Sequence, residues 1–512
     1  MRQSVTTAVL LLALASCSNE PIDEGRGVAS PQTVASLAEA DDTQRELTRE
    51  PAATGAERDT LLKALEDYSV VIETWQRRAR PGSLMRTYEV TAGAEFDPGE
   101  PRFTPESGKT YFYVNVGTRG TLDLATGEIF SPSGMKVVVG DAETREMIAS
   151  YGIPVALRSA VHTTAVTPDG RHVYIIGARP DGELEPQGEA GTGFQVSASL
   201  LRVDALTLQP VRQIVTGGRM HHAQIFQDRH MLIDTFATDP DGLSVFLFDP
   251  RTDRIIGGVR AEDLGGDPYT AWTDDRYIYI LMEPAGYGFQ GARRYMHGEI
   301  TVMPSSWVAR LDPNTWEVLQ EYPHPGHRAD WICFDHDASH MYVPSTSSHT
   351  VSRINIETGG IAWTRPTGVG PYACNLNADG TEVWIADKGE ATQLVGGRTV
   401  TVYETATGDH LDTLFSAYRV DHILLSPDGN EFWATSNYEG AIYVFDAHTR
   451  ARKDVIQIPG GGDLHGLVWV HYDENGEPRV VRDQGGFHNG IDPGNGRALP
   501  MNVPRQWGRG VF

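Results

Sequence analysis

The chain is organised as a series of short apolar strands separated by two kinds of polar turn. In the first kind, an apolar strand ends in Asp-x-x-Thr and a second strand follows, with Asn or Glu replacing Asp in two copies. Asp and Thr suit this place because their short side-chain oxygens hydrogen-bond nearby backbone N–H groups and shape the turn. The copies begin at Asp141, Asp204, Asp249, Asp312, Asn355, Glu404 and Asp446.

The second kind of turn is Pro-Asp-Gly-like and alternates with the first. Clear copies lie in residues 165–176, 375–385 and 423–434, and weaker copies centre on residues 106–107, 227–228, 274–275, 337–338 and 474–475. Asp-Gly and related pairs between apolar runs are strong hairpin signals. Two hairpins in each stretch of about 45 residues describe the four-stranded blade of a β-propeller.

We therefore predict an all-β protein that consists of a single β-propeller with four-stranded blades. The pattern contains eight hairpins of the second kind and seven of the first, which favours eight blades and leaves seven as the alternative. The last hairpin, residues 466–482, lacks a partner. Residues 85–91 (MRTYEVT) are a candidate strand that could close the ring there.

This repeat resembles that of the YVTN/YncE-type β-propellers. The wider group includes amine dehydrogenase heavy chains, cytochrome d1 domains and the nitrous oxide reductase propeller. The resemblance covers about residues 98–486. It implies the fold and does not imply one particular activity.

The N-terminus has the features of an export signal. Residues 8–15 (AVLLLALA) are apolar, but they are too few to span a bilayer of ~30 Å as a helix. Leu14-Ala15-Ser16-Cys17 follows and resembles the bacterial lipoprotein signal, which implies that Cys17 carries the lipid. Ser18 in place of Asp favours the outer membrane of a bacterial envelope, on its periplasmic or surface face. A secretory signal with a coincidental cysteine is the alternative.

The signal peptide, residues 1–17, is followed by three further segments around the propeller. Residues 18–57 lack aromatic side chains and are predicted to be a flexible, disordered tether. Residues 58–82 are predicted to form a helix packed on the propeller, because apolar residues recur at near-helical spacing until Pro81-Gly82. The propeller takes residues 83–486, and residues 487–512 form a closing segment.

Composition and charge exclude several functions. The 512 residues carry a net charge of −25, which argues against nucleic acid as a partner because phosphate binding needs a basic face. Three cysteines are too few for a disulfide scaffold, and no C-x-x-C-H motif is present to attach a c-type haem. Cys333 and Cys374 lie in apolar strands and are expected to pack in the core.

Polar, titratable residues recur seven positions before the turns of the second kind, where the innermost strand of each blade begins. They are Glu100, His162, His221, Asp267, Asp330, Tyr372 and Asp421, with His465 near the equivalent place in the last repeat. We expect them to meet at the mouth of the central channel. His222 and His422 are adjacent to members of this set. Because successive strand side chains point to opposite faces, His221 and His222 can both face the channel only if the strand is irregular there.

Three interpretations of this set remain open. The residues could simply line a water-filled channel. They could instead bind a divalent metal, and imidazoles mixed with carboxylates suit Zn, Mn or Ca better than Cu(I). Nitrous oxide reductase holds copper on its propeller through histidines, so the resemblance keeps Cu among the candidates. The proposed ligands are His162, His221, His222, Asp330, Asp421, His422 and His465.

The third interpretation is acid–base catalysis. His221 or His162 could act as a base near neutral pH, Tyr372 could donate a proton, and Arg328 could hold a carboxylate. This set would suit a propeller-type polysaccharide lyase acting on acidic glycans.

The function predicted first is therefore an exported, lipid-anchored β-propeller that binds a small ligand or metal, as a subunit or partner of a periplasmic redox protein. The alternative is an enzyme, either a metal-dependent oxidoreductase or a lyase.

Overall fold

The computed structural model describes most of the propeller region of the chain. The described residues are 72–73, 88–90, 99–117, 121–122, 129–130, 135–153, 160–178, 184–187, 192–195, 197–217, 219–236, 243–285, 305–389 and 396–485. The predicted signal peptide, Cys17, the tether and residues 487–512 lie outside them. Among these residues we find no helix with the length and apolar character needed to cross a membrane.

The described residues form an all-β structure with a single short 3-10 helix, Ala261–Asp263. The strands in chain order are β1 Ile72–Glu73, β2 Tyr88–Val90, β3 Thr110–Gly117, β4 Thr121–Leu122, β5 Ile129–Phe130, β6 Lys136–Asp141, β7 Met147–Gly152, β8 Ala160–Val166, β9 His172–Ala178, β10 Leu184–Gln187, β11 Thr192–Gln195, β12 Ser197–Asp204, β13 Pro210–Gly217, β14 Arg219–Phe226, β15 His230–Phe236, β16 Val245–Asp249, β17 Arg254–Val259, β18 Asp267–Thr273, β19 Ile278–Glu283, β20 Trp307–Leu311, β21 Val318–Pro323, β22 Cys333–Phe334, β23 His340–Ser345, β24 Thr350–Asn355, β25 Ile361–Pro366, β26 Pro371–Leu376, β27 Glu382–Asp387, β28 Thr399–Glu404, β29 His410–Phe415, β30 Val420–Leu425, β31 Glu431–Ser436, β32 Ala441–Asp446, β33 Arg452–Gln457, β34 Asp463–Leu464, β35 Val468–Tyr472 and β36 Pro478–Arg482.

These strands make a propeller of seven antiparallel blades built on four strands each, with additional strands in the sheets of blades 1 and 3. From the innermost to the outermost strand, blade 2 is β8-β9-β12-β13, blade 3 is β14-β15-β16-β17 and blade 4 is β18-β19-β20-β21. Blade 5 is β22-β23-β24-β25, blade 6 is β26-β27-β28-β29 and blade 7 is β30-β31-β32-β33. The predicted fold class is confirmed, and of the two blade numbers left open by the sequence the structure has seven.

Blade 1 contains strands from both ends of the propeller. Because these strands share one blade, the propeller has seven blades and not eight. Its inner edge is formed by β36 and β35, from the C-terminal part; β36 pairs with β35, and β35 pairs with β3 through Tyr113 and Val468. The chain then continues outward through β6 and β7. The turns at residues 106–107 and 474–475 therefore belong to one blade. Closure of the ring in this way removes the exposed sheet edges that promote aggregation.

Two N-terminal segments extend blade 3 instead of closing the ring. Tyr88–Val90, within the candidate closing strand 85–91, is a strand, but it pairs with β17 at the outer edge of blade 3. Ile72–Glu73, inside the predicted helix 58–82, pairs with β2 and is extended. At these two residues a strand replaces the helix because their backbone groups are bonded to a neighbouring strand. The rest of the predicted helix lies outside the described residues.

The Asp-x-x-Thr turns form as the sequence predicts. Oδ1 of Asp141 accepts hydrogen bonds from the backbone N–H groups of Glu143 and Thr144, at 2.8 and 2.9 Å. Oδ1 of Asp446 does the same two and three residues along the chain, at 3.0 and 2.7 Å. Local side-chain chemistry therefore fixes these hairpins.

A disulfide bond joins Cys333 of β22 to Cys374 of β26, with 5.9 Å between their Cα atoms. It links the innermost strands of blades 5 and 6. The two cysteines are buried as expected, but the bond between them was not predicted, because their proximity depends on how neighbouring blades pack.

Candidate metal centre

The innermost strands share a β-bulge where they begin. In β8, β14, β18, β26 and β30, the pairing with the next strand skips one or two residues. A bulge re-aims the side chains of the extra residues. It supplies the irregularity that two adjacent inward-facing histidines require. The skipped residues are His162, His221 and His222, Tyr269, Tyr372 and Ala373, and Asp421 and His422.

Side chains from successive blades meet around the channel, and we call this group the hub. Ring-centre distances link His465 to His162 at 5.1 Å, His162 to His221 at 4.3 Å and His221 to Tyr269 at 5.2 Å. On the other side, Tyr372 and His422 stack at 5.8 Å, and His422 lies 6.4 Å from His465. The hub consists of His162, His221, His222, Asp234, Tyr269, Trp331, Tyr372, Lys388, Asp421, His422, Asp463 and His465.

His222 connects opposite sides of the hub. Its ring lies 5.9 Å from that of His422 and 5.5 Å from that of Trp331. The Tyr372 hydroxyl is 3.4 Å from Nε2 of His222. Blades 3, 5, 6 and 7 therefore meet at this imidazole.

One group of candidate ligands comes from blades 7 and 1. Ligand atoms of Asp421, His422 and His465 all lie within 4.8 Å of one another, and all three side chains are buried. Oδ2 of Asp421 is 3.2 Å from Nε2 of His422 and 3.2 Å from Nδ1 of His465. Metal–ligand bonds of about 2.1 Å place two ligand atoms about 3.4 Å apart in a tetrahedral site. The two separations of 3.2 Å from Oδ2 of Asp421 are close to this value.

A second group comes from blade 3. Ligand atoms of His221, His222 and Asp234 also lie within 4.8 Å of one another, and the three residues are buried. Nδ1 of His221 is 3.6 Å from one Asp234 oxygen, and Nδ1 of His222 is 3.8 Å from the other.

Burial and nearby charges alter the protonation of these groups. Burial lowers the pKa of His422 to about 4 and that of His222 well below its usual value. Both imidazoles are therefore neutral near pH 7. Burial raises the pKa of Asp234 to about 8.

Charged neighbours dominate at Asp421 and His465. Burial alone would raise the pKa of Asp421, but the Lys388 ammonium, with His422 and His465, holds it well below its usual range. Burial alone would lower the pKa of His465, but Asp421 and Asp463 raise it above the ordinary value.

The structure brings together most of the predicted site residues, but not all of them. His162, His221, His222, Tyr372, Asp421, His422 and His465 are all in the hub. Asp330 and Arg328 lie in a neighbouring cluster, where an Arg328 nitrogen is 3.6 Å from Oδ1 of Asp330 and donates a hydrogen bond of 2.8 Å to the Tyr269 hydroxyl. Neither belongs to the two groups of candidate ligands found among the described residues.

Several hub residues were not identified from the sequence. Asp234 lies in β15 and Lys388 directly follows β27, each of which is the second strand of its blade. Tyr269 lies in β18, two residues after the predicted Asp267. Polar residues at the ends of apolar second strands are the sequence signal that could have identified Asp234 and Lys388. In β18 the β-bulge makes Tyr269, and not Asp267, the residue that faces the hub.

Comparison with known proteins adds little to this picture. No family model and no curated protein matches the chain. Among solved structures, the periplasmic gluconolactonase PpgL of Pseudomonas aeruginosa is 16% identical, over 70% of this chain and 99% of that one, with a TM-score of 0.47. Dihydro-heme d1 dehydrogenase NirN is 14% identical, over 81% and 86%, at 0.46.

Hydrazine synthase of Kuenenia stuttgartiensis is 15% identical, over 62% of this chain and 92% of that one, with a TM-score of 0.47. Similarities of this size do not carry an argument about activity.

Proposed function

We propose that the protein is a metal-binding β-propeller whose hub holds a divalent transition-metal ion through Asp421, His422 and His465. The observation that carries this proposal is the convergence of their ligand atoms within 4.8 Å in a buried position. Imidazole and carboxylate together suit zinc or manganese.

The surroundings of His465 support a role as a ligand. Its Nδ1 faces Asp421, and its Nε2 lies 3.3 Å from Oδ2 of Asp463. Metal-binding histidines commonly donate their second ring N–H to a carboxylate, which fixes the orientation of the ring. Asp463 supplies that carboxylate, while Nδ1 is directed at the other two ligands.

The burial of the three ligands favours an ion over a large substrate. Asp421 and His422 are 0% exposed and His465 is 1% exposed. A metal ion needs only the space between its ligands, whereas a glycan residue must displace the side chains around it.

The test is metal binding by the purified protein. After treatment with a chelator and dialysis against Zn²⁺, the wild type should retain at least one ion per chain by elemental analysis. Asp421→Asn should lower the affinity at least tenfold in a calorimetric titration. Asp387→Asn is the matched control, because Asp387 is equally buried but binds Thr399 and Thr401. Equal zinc binding by the wild type and Asp421→Asn would refute the proposal.

We also propose that the protein is an exported, lipid-anchored propeller of the YVTN/YncE type, with Cys17 as the anchor in the outer membrane. The disulfide between Cys333 and Cys374 supports export, because such bonds persist in oxidising compartments. Cys17→Ala should release the protein from the membrane fraction. The partner would be an envelope redox protein or a small ligand.

A second candidate function is acid–base catalysis on an acidic glycan. The Tyr372 hydroxyl lies 3.4 Å from Nε2 of His222, and the Lys388 ammonium lies 3.7 Å from the centre of the Tyr372 ring. In a β-elimination, the neutral imidazole of His221 would accept the C5 proton of a uronate. The C4–O bond would break as the C4=C5 double bond forms, and the Tyr372 hydroxyl would donate its proton to the leaving oxygen.

This alternative is tested with uronate-containing glycans. An increase in ultraviolet absorbance from the unsaturated product, abolished in Tyr372→Phe, would support the lyase. No increase with the wild type would exclude it for the glycans used.

A further inference from the structure

We infer that the hub has a second metal subsite, formed by His221, His222 and Asp234, so that the complete centre takes two divalent ions. This inference rests on the proposed function of the first subsite. The three residues offer two imidazoles and one carboxylate within 4.8 Å of one another. The first subsite offers the same set of groups.

The backbone holds Asp234 in a fixed position facing the two histidines. Its Oδ1 accepts a hydrogen bond of 3.0 Å from the N–H of His222, and its Oδ2 accepts one of 2.9 Å from the N–H of Ala271. These bonds come from strands β14 and β18 and leave further lone pairs on each oxygen. The carboxyl group is therefore oriented before any ion binds, and an ion that binds would displace its proton.

The spacing between the carboxylate and the imidazoles suits a bound ion. The Nδ1 atoms of His221 and His222 lie 3.6 and 3.8 Å from the two Asp234 oxygens. Both distances exceed the range of N–H···O hydrogen bonds. They are close to the separation of about 3.4 Å between two ligands of one tetrahedral metal ion.

The two subsites face each other across the hub. His222 and His422 occupy the same bulge position in blades 3 and 7, and their ring centres are 5.9 Å apart. The His162 ring lies between the subsites, 4.3 Å from His221 and 5.1 Å from His465. Adjacent ions of this kind act together on a shared ligand in two-metal sites.

The experiment counts metal ions with Zn²⁺ as the probe. Elemental analysis should give two ions per chain in the wild type and one each in Asp234→Asn and Asp421→Asn. Asp387→Asn should keep two. Manganese-loaded wild type should show a spin-coupled EPR spectrum, and Asp234→Asn should show the spectrum of a single isolated ion.

Each alternative result has a distinct meaning. One ion per chain in the wild type that Asp421→Asn loses and Asp234→Asn keeps overturns the second subsite and leaves the proposed function standing. One ion that Asp234→Asn loses and Asp421→Asn keeps overturns the proposed function and, with it, the two-ion centre. No ion in the wild type overturns both. Near-UV circular dichroism checks folding, because Trp272 and Trp331 pack against His222. If Asp234→Asn does not fold, His222→Gln replaces it with the same expected stoichiometry of one.

Discussion

The ammonium group of Lys388 lies 2.7 Å from Oδ1 of Asp421, and both side chains are buried in the hub. Lys388 therefore neutralises a proposed ligand while no ion is bound. Removing one partner of a buried ion pair usually costs about 3–5 kcal/mol. We expect Lys388→Met to lower the free energy of unfolding of the metal-free protein by that amount.

Zinc should restore much of this loss, because the ion would replace the missing positive charge beside Asp421. The measurement is urea unfolding with chelator and with Zn²⁺. Lys109→Met is the control, since the Lys109 ammonium lies 3.3 Å from Asp141 in an ion pair that water screens at the surface. If zinc stabilises Lys388→Met no more than the wild type, Lys388 does not substitute for the ion.

Gly466 should be essential for the geometry of the site. Its φ is +67°, and a Cβ atom there would overlap Nδ1 of His422 and Oε1 of Gln484. We expect Gly466→Ala to displace His422 and reduce zinc affinity at least tenfold. Gly476→Ala is a matched control, because Gly476 has a φ of +80° and open space around its Cα. Both variants carry the strain of alanine at positive φ. Equal zinc binding by the two variants would contradict this prediction.

The Cys333–Cys374 disulfide should contribute substantially to stability. It closes a loop across a sequence separation of 41 residues, for which chain entropy predicts about 4 kcal/mol. The double variant Cys333→Ser/Cys374→Ser should unfold at a lower urea concentration than the oxidised wild type. Reductant should shift the wild type toward the variant and leave the variant unchanged. A wild-type midpoint that does not respond to reductant during unfolding would show that the bond is absent.

His324 should make stability depend on pH. Burial lowers its pKa from 6.5 to about 4. Below pH 6.5 His324 binds a proton in the unfolded chain, whereas in the folded protein it binds one only below about pH 4. The free energy of unfolding therefore keeps the full contribution of His324 above pH 6.5 and loses up to about 3 kcal/mol as the pH falls toward 4.

The measurement is the free energy of unfolding of wild type and His324→Gln between pH 7 and 4. The wild type should lose more stability than the variant over this interval. His448→Gln, on an exposed hairpin, should behave like the wild type. Parallel pH profiles for wild type and His324→Gln would rule out this role of His324.

The sequence by itself determined the class of fold and much of the hub. The turns are local, since Asp141 and Asp446 bond N–H groups two and three residues away, and such signals can be recognised without knowing the rest of the molecule. The distance along the chain from a turn to the start of an innermost strand is nearly constant. Counting back therefore located His162, His221, Tyr372 and Asp421.

Only the tertiary structure decided the features that join distant parts of the chain. Blade 1 closes the ring because β35 pairs with β3, about 350 residues earlier. Cys333 meets Cys374, Lys388 meets Asp421, and Asp234 meets its two histidines, because neighbouring strands and blades pack in one register and not another. These contacts follow from the summed packing of whole sheets, and no local pattern of residues encodes them.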